Sequence, residues 1–389
     1  MTIKSIRLAS IDVLRALTMF LMIFVNDLWT LIGIPKWLEH VDVNTDGMGL
    51  ADTVFPAFLF IVGLSIPFAV ENRLKKGDST FEILKHIAIR SLALLIIGFF
   101  HVNLETYNPE AILSKPIWEI LITIAFFLIW LAYPKDFDKR KKTLLQGTGI
   151  LMLIILAAIY KGGDAAHPSW MTHQWWGILG LIGWAYLLCS SIHVLCKGNV
   201  VAVIISLIAL IAINSAFHLN YIPKNLHFWL MGDGSNATLV MGGILAGLIY
   251  KKNSDKNSSL WLLLGGFALV MFIYGFSTRP LWGISKLRST PSWTTICSGI
   301  TLIAFMLLIW LVDIKGKENW FNSLKPAGTA TLTAYLLPYI HYPIFTLIGW
   351  QLPEILRTGG IGIIKCLLYS LIIILITGWL EKRKIKLKL

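Results

Sequence analysis

The sequence predicts an all-α protein: a polytopic membrane helical bundle of about 10–12 transmembrane helices, with both termini in the cytoplasm. Three observations carry this. Hydrophobic residues make up 56% of the 389 positions and charged residues only 14%, with a mean hydropathy of +0.71. A soluble domain carries about 25% charged residues. Apolar runs of roughly 17–25 residues, long enough to cross a bilayer, recur along the whole chain. Basic residues crowd into alternate short loops, which is how a membrane protein sets its topology. The net charge of +13 is therefore a topology signal. The lipid bilayer is the expected partner and nucleic acid is not.

Taken in order, the runs fall near 11–33, 51–71, 83–101, 117–134, 143–160, 174–195, 199–217, 236–250, 260–276, 292–312, 328–348 and 360–380. The run at 236–250 is short. With the N-terminus inside, the cytoplasmic segments hold Lys4 and Arg7, the DKRKK run ending at Lys142, Lys251, Lys252 and Lys256, and the tail EKRKIKLKL. The opposite side keeps scattered cations, among them Lys36, Lys224, Arg279, Lys286 and Arg288. The N-terminus has a basic flank, but Asp12 and Arg15 interrupt its apolar stretch and no small-x-small cleavage site follows. It reads as a retained first span rather than a signal peptide. Cys189, Cys196, Cys297 and Cys366 lie in or beside apolar runs without a CxxC pair, which suits small core residues. The expectation is one transmembrane domain over 1–389, with a signature hairpin at 7–71 and a C-terminal motif block at 277–348. A homodimeric assembly stays open.

The hairpin carries the polar groups that are hardest to explain. Asp12, Arg15, Asn26 and Asp27 sit in the first span, and ionisable groups inside a span are functional candidates because they are costly to keep there. At about 100° per residue, Arg15 and Asn26 are roughly 20° apart around the helix and about 16 Å apart along it. The loop that follows presents Glu39, His40, Asp42 and Asp46, and Asp52 opens the second span. His40 is the candidate base, with Asp27 and Asp52 at the adjoining span ends close enough to orient an imidazole. Asp52 also stands in a helix N-cap context. Asp12 and Arg15 suit either an i, i+3 ion pair or a site for polyphosphate, which a guanidinium holds bidentately. Asn26 suits either a helix–helix hydrogen bond or a carbonyl contact.

The outer segments are rich in aromatic and polar residues, including His101, His167, His173, His218 and His227. An interfacial belt and a sugar site both fit them. No metal-ligand spacing, P-loop, dinucleotide fingerprint or GxSxG elbow occurs, so no metal is expected.

The pattern RLASIDVLRAL…MIFVND…EH…GLADTVFPAFLFIVG resembles the transmembrane acetyltransferases of the heparan-α-glucosaminide N-acetyltransferase family. TRPLWGISKLRSTPSW, followed by LVDIKGKENWF…PAGTATLTAYLLPY, is similar to that family's final third. The resemblance implies acetyl transfer from cytoplasmic acetyl-CoA to the amine of a glucosamine-type sugar outside, which in bacteria means across the inner membrane. It puts the family's active histidine on His40, its asparagine on Asn26, its in-membrane arginine on Arg15 and its hairpin aspartate on Asp52. The expected catalytic set is therefore His40, Asn26 and Asp52, and the donor-binding set Arg15, Asp12, Asn26 and Trp282. The alternative is a secondary transporter of an amino sugar, which twelve spans with midplane charges also fit.

Overall fold

The computed structural model describes residues 9–164, 166–223, 230–253 and 257–389. Lys4, Arg7, Lys224, His227 and Lys256 lie outside the described residues. The chain forms α1 (Ala9–Asp27), α2 (Leu50–Lys75), α3 (Thr80–Val102), α4 (Lys115–Trp130), α5 (Lys139–Ala158), α6 (Gly177–Leu195) and α7 (Val200–His218). It continues with α8 (Ser235–Asn253), α9 (Asn257–Trp282), α10 (Pro291–Leu308), α11 (Lys325–Thr329), α12 (Thr331–Leu336), α13 (Pro338–Leu347) and α14 (Gly359–Lys382). The strands among the described residues are Gly162–Gly163 and Pro168–Ser169, two residues each. This is an all-α polytopic bundle.

Nine helices among the described residues are long and apolar enough to span a membrane: α1, α2, α3, α5, α6, α7, α9, α10 and α14. The chain is a multi-pass integral membrane protein. The other expected spans are also helical. The run at 117–134 becomes α4, which is 16 residues long, and the short run at 236–250 becomes α8, buried over most of its length.

The run at 328–348 departs from a continuous helix and breaks into α11, α12 and α13. Ala330 leaves the helical region (φ −128°, ψ 44°), and Pro338 and Pro343 bring no backbone N–H. Interrupted backbone at membrane depth survives only where protein buries it or it lines a cavity. Here Thr329, Thr331, Leu332 and Tyr335 do line one.

Contacts between loops sort the helix ends into two groups. At the end where α1 begins, Asp313 accepts from the Ser10 N–H and from the Tyr250 hydroxyl. Lys251 pairs with Glu71, and Thr329 donates to Glu381. At the opposite end Ile32 bridges to Thr358, Asn103 binds Thr172, and Asn214 binds Ser289. This matches the strict alternation of twelve segments. The closest crossing joins α2 to α8, where glycine is obligatory. A Cβ at Gly63 would strike the Val240 carbonyl, and one at Gly243 the Phe60 carbonyl. Small residues at such crossings let helix backbones meet and gain dispersion contacts that lipid cannot replace.

The orientation has a direct test. Cys196 is the one free cysteine that is not buried. In a Cys196→Ser background, Glu39→Cys should react with an impermeant thiol reagent from outside the cell. Arg140→Cys should react only after permeabilisation. The reverse pattern would invert the bundle.

Candidate functional site

Four of the predicted residues gather at two places, His40 and Asp52 at an outer-end hairpin site and Asp12 and Arg15 at a cavity along α1. The hairpin site is built on the start of α2. Gly49 is the N-cap and the helix begins at Leu50, so the expected N-cap role of Asp52 is corrected to the third helical position. From there its Oδ2 accepts the Gly49 N–H and the Val41 N–H, both at 3.0 Å. Its Oδ1 lies 2.7 Å from His40 Nδ1. Asp52 is buried, while the His40 side chain is 48% exposed. Two backbone N–H groups converging on one carboxylate suit its acceptor-only, ionised form. Nδ1 therefore carries the hydrogen and donates, which leaves the Nε2 lone pair free for chemistry.

The loop closes on itself and on a distant segment. A side chain at Gly49 would collide with the Glu39 carbonyl, so only glycine lets the hairpin shut. Asp46 Oδ2 accepts from Arg279 Nε at 2.9 Å, Oδ1 accepts the Ile284 N–H at 2.7 Å, and the Gly47 N–H donates to the Ile284 carbonyl. The Ile284 N–H first, and then Arg279, hold the Asp46 carboxyl below its ordinary range. Trp293 Nε1 donates to the Asp52 carbonyl from beneath.

This clamp brings in a residue that sequence reasoning did not single out. Lys286 Nζ lies 3.3 Å from His40 Nδ1 and 3.4 Å from Nε2. Near-equal distances put the ammonium against the imidazole rather than in line with one nitrogen. Burial draws the Lys286 amine below its ordinary value, opposed by the Asp52 carboxylate. Lys286 is 246 positions from His40, and the available signal was its place inside the TRPLWGISKLRSTPSW block.

Asp27 does not orient His40, contrary to expectation. Its carboxylate accepts from Lys365 Nζ at 2.9 Å and from the Tyr342 hydroxyl at 2.6 Å. It is buried, with Lys365 on α14 and Tyr342 on α13 as its partners. A buried carboxylate must be paired, and the cation that reaches it lies on α14.

The second place is a cavity of about 630 Å³ whose lining extends from Asp12, Asn72 and Lys388 to Met22 and Ile178. Arg15 projects into it, donating from Nη1 to Asp12 Oδ1 at 3.1 Å and from Nη2 to Ser65 Oγ at 2.7 Å. The expected ion pair is present, and the guanidinium also faces open volume. Arg90 of α3 lines the same cavity and stacks on Tyr186, 5.0 Å from the ring centroid. Asn26 lies one turn beyond Met22 on the same face of α1. It is exposed and, contrary to the expected donor-binding set, does not line the cavity. Trp282 is elsewhere, at the end of α9 edge-on to His218, and does not line the cavity. Among the described residues no cluster of His, Cys, Asp and Glu has metal-holding geometry.

Known proteins match part of this chain. Over 97 residues, 25% of this chain, it is 39% identical to heparan-alpha-glucosaminide N-acetyltransferase from Homo sapiens and 37% identical to the protein of that name from Mus musculus. The matched stretch spans 14% of the length of each of these relatives, and over it the chain is related to them. A family model described as a domain of unknown function, DUF5009, matches residues 7–214. That match takes in α1 to α6 and most of α7, and with them Arg15, His40, Asp52 and Arg90, and this chain belongs to the DUF5009 family.

Proposed function

We propose that this protein is a transmembrane N-acetyltransferase that takes acetyl from acetyl-CoA on the cytoplasmic side and delivers it to the amine of a glucosamine-type sugar outside. The observation that carries the reading is the pairing of His40 with buried Asp52 at one end of α1 and α2, above a cavity that Arg15 enters from the other end. The coenzyme's phosphates meet Arg15, and the pantetheine arm follows the α1 face through Met19 and Met22 toward Asn26. The acceptor amine attacks the thioester carbonyl, His40 Nε2 takes the amine proton, and the coenzyme thiolate leaves. Asn26 and the Lys286 ammonium stabilise the oxyanion formed on the way. The membrane would be the bacterial inner one.

One observation favours the transporter alternative. The interrupted segment α11–α13 borders the cavity, and broken helices at substrate sites are a transporter device. A thiol-release assay on purified protein with acetyl-CoA and glucosamine separates the two. Free thiol should accumulate beyond one equivalent per protein only when both substrates are present. Glucosamine flux into proteoliposomes without thiol release would overturn the enzyme reading. In the same assay Arg15→Lys should raise KM for acetyl-CoA about tenfold or more while leaving kcat nearly unchanged, because the charge stays and the bidentate fork is lost. An unchanged KM would return Arg15 to a plain ion-pair role.

A further inference from the structure

We infer that Arg90 is the second cation of an anion clamp: Arg15 from α1 and Arg90 from α3 hold one diphosphate group between them inside the cavity. This rests on the donor reading above and assigns a residue that reading did not use. Arg90 sits at the eleventh position of the 23-residue α3, near the middle of a span, where an ionisable side chain is costly unless something offsets it. Arg15 has Asp12 as its counter-ion. Arg90 makes no ion pair among the described residues, and its Nε is buried without a hydrogen-bond partner. Its compensation is the face of Tyr186, which orients a guanidinium plane but supplies no acceptor.

Both arginines line one cavity. Two guanidinium groups sharing one volume repel each other, and one carboxylate, Asp12, cannot balance them both. A ligand with two adjacent anionic groups resolves this. Diphosphate offers acceptor oxygens in the spacing that two planar forks engage. Lys388 at the cavity lining adds a third cation on the approach side. The Tyr186 stack holds the Arg90 plane in place, so less rotamer freedom is lost on binding.

The test is equilibrium binding to purified full-length protein in detergent, with CoA and inorganic pyrophosphate as separate probes. Wild type should bind both, and pyrophosphate should compete with CoA. Arg90→Gln should weaken both by roughly 10- to 100-fold, the loss expected for hydrogen bonds to a charged group. Arg90→Lys should recover part of this. His40→Ala should bind both probes like wild type. If Arg90→Gln does not fold, Arg90→Lys carries the test through a smaller loss for pyrophosphate. Wild-type affinity for pyrophosphate in a folded Arg90 variant would overturn the clamp and leave Arg90 as a tyrosine-stacked structural residue. Arg90-dependent pyrophosphate binding without any CoA binding would uphold the clamp and overturn the acetyl-CoA reading instead.

Discussion

Replacing His40 with alanine should lower acetyl transfer by about 10²–10⁴-fold, the usual cost of losing a positioned general base. The cavity lies apart from the hairpin, so the variant should fold and still bind CoA. Asp52→Asn should follow in the same direction. An amide keeps the shape but no longer favours the Nδ1–H tautomer, so Nε2 loses its share of the reactive form. The magnitude also bears on mechanism. If Nε2 first attacks the thioester, the acetyl group rests on the imidazole before the amine takes it. Radiolabelled acetyl-CoA without acceptor would then leave label on wild type and none on His40→Ala. Absence of label with full turnover means direct transfer. Near-normal turnover in His40→Ala would remove His40 from the chemistry altogether.

The largest effect on stability should come from the Asp27–Lys365 pair. Lys365→Met leaves a buried carboxylate with one tyrosine hydroxyl as its remaining side-chain donor. Breaking a buried pair on one side costs about 3–5 kcal/mol, whereas replacing both members with apolar residues is often near neutral. Lys365→Met should therefore lower the thermal unfolding midpoint strongly, and Asp27→Leu combined with Lys365→Met should restore much of it. A single variant as stable as wild type would show that the pair carries no such load. Because Asn26 precedes Asp27 on α1, the pair also holds the end of the helix that presents Asn26.

The site was legible where its chemistry and its reason for being odd share a segment. Asp12 and Arg15 stand three apart on one helix, and their ion pair follows from that spacing. His40 and Asp52 are twelve apart across one short hairpin, and they meet. Asp27 was misread because two carboxylates flank the hairpin at similar distances in the chain. Position in sequence does not tell which one faces the loop and which faces α13 and α14. Lys286 was counted only as a loop cation, and neither it nor Arg90 has a local partner that would mark it.

By itself the sequence determined that the chain is a membrane bundle, where its apolar runs fall and how their ends alternate. Length, hydropathy and charge bias act through the bilayer, which reads each segment separately. Tertiary structure alone decided three things: that the 279–290 segment clamps the hairpin through Asp46, that the 328–348 run breaks beside the cavity, and that Arg15 and Arg90 share one volume. Each depends on which helix faces which. In a bundle where every helix is apolar, hydrophobic patterning barely distinguishes one face from another. Close approach at glycines and the pairing of a few buried charges select the faces, and those selections are long-range.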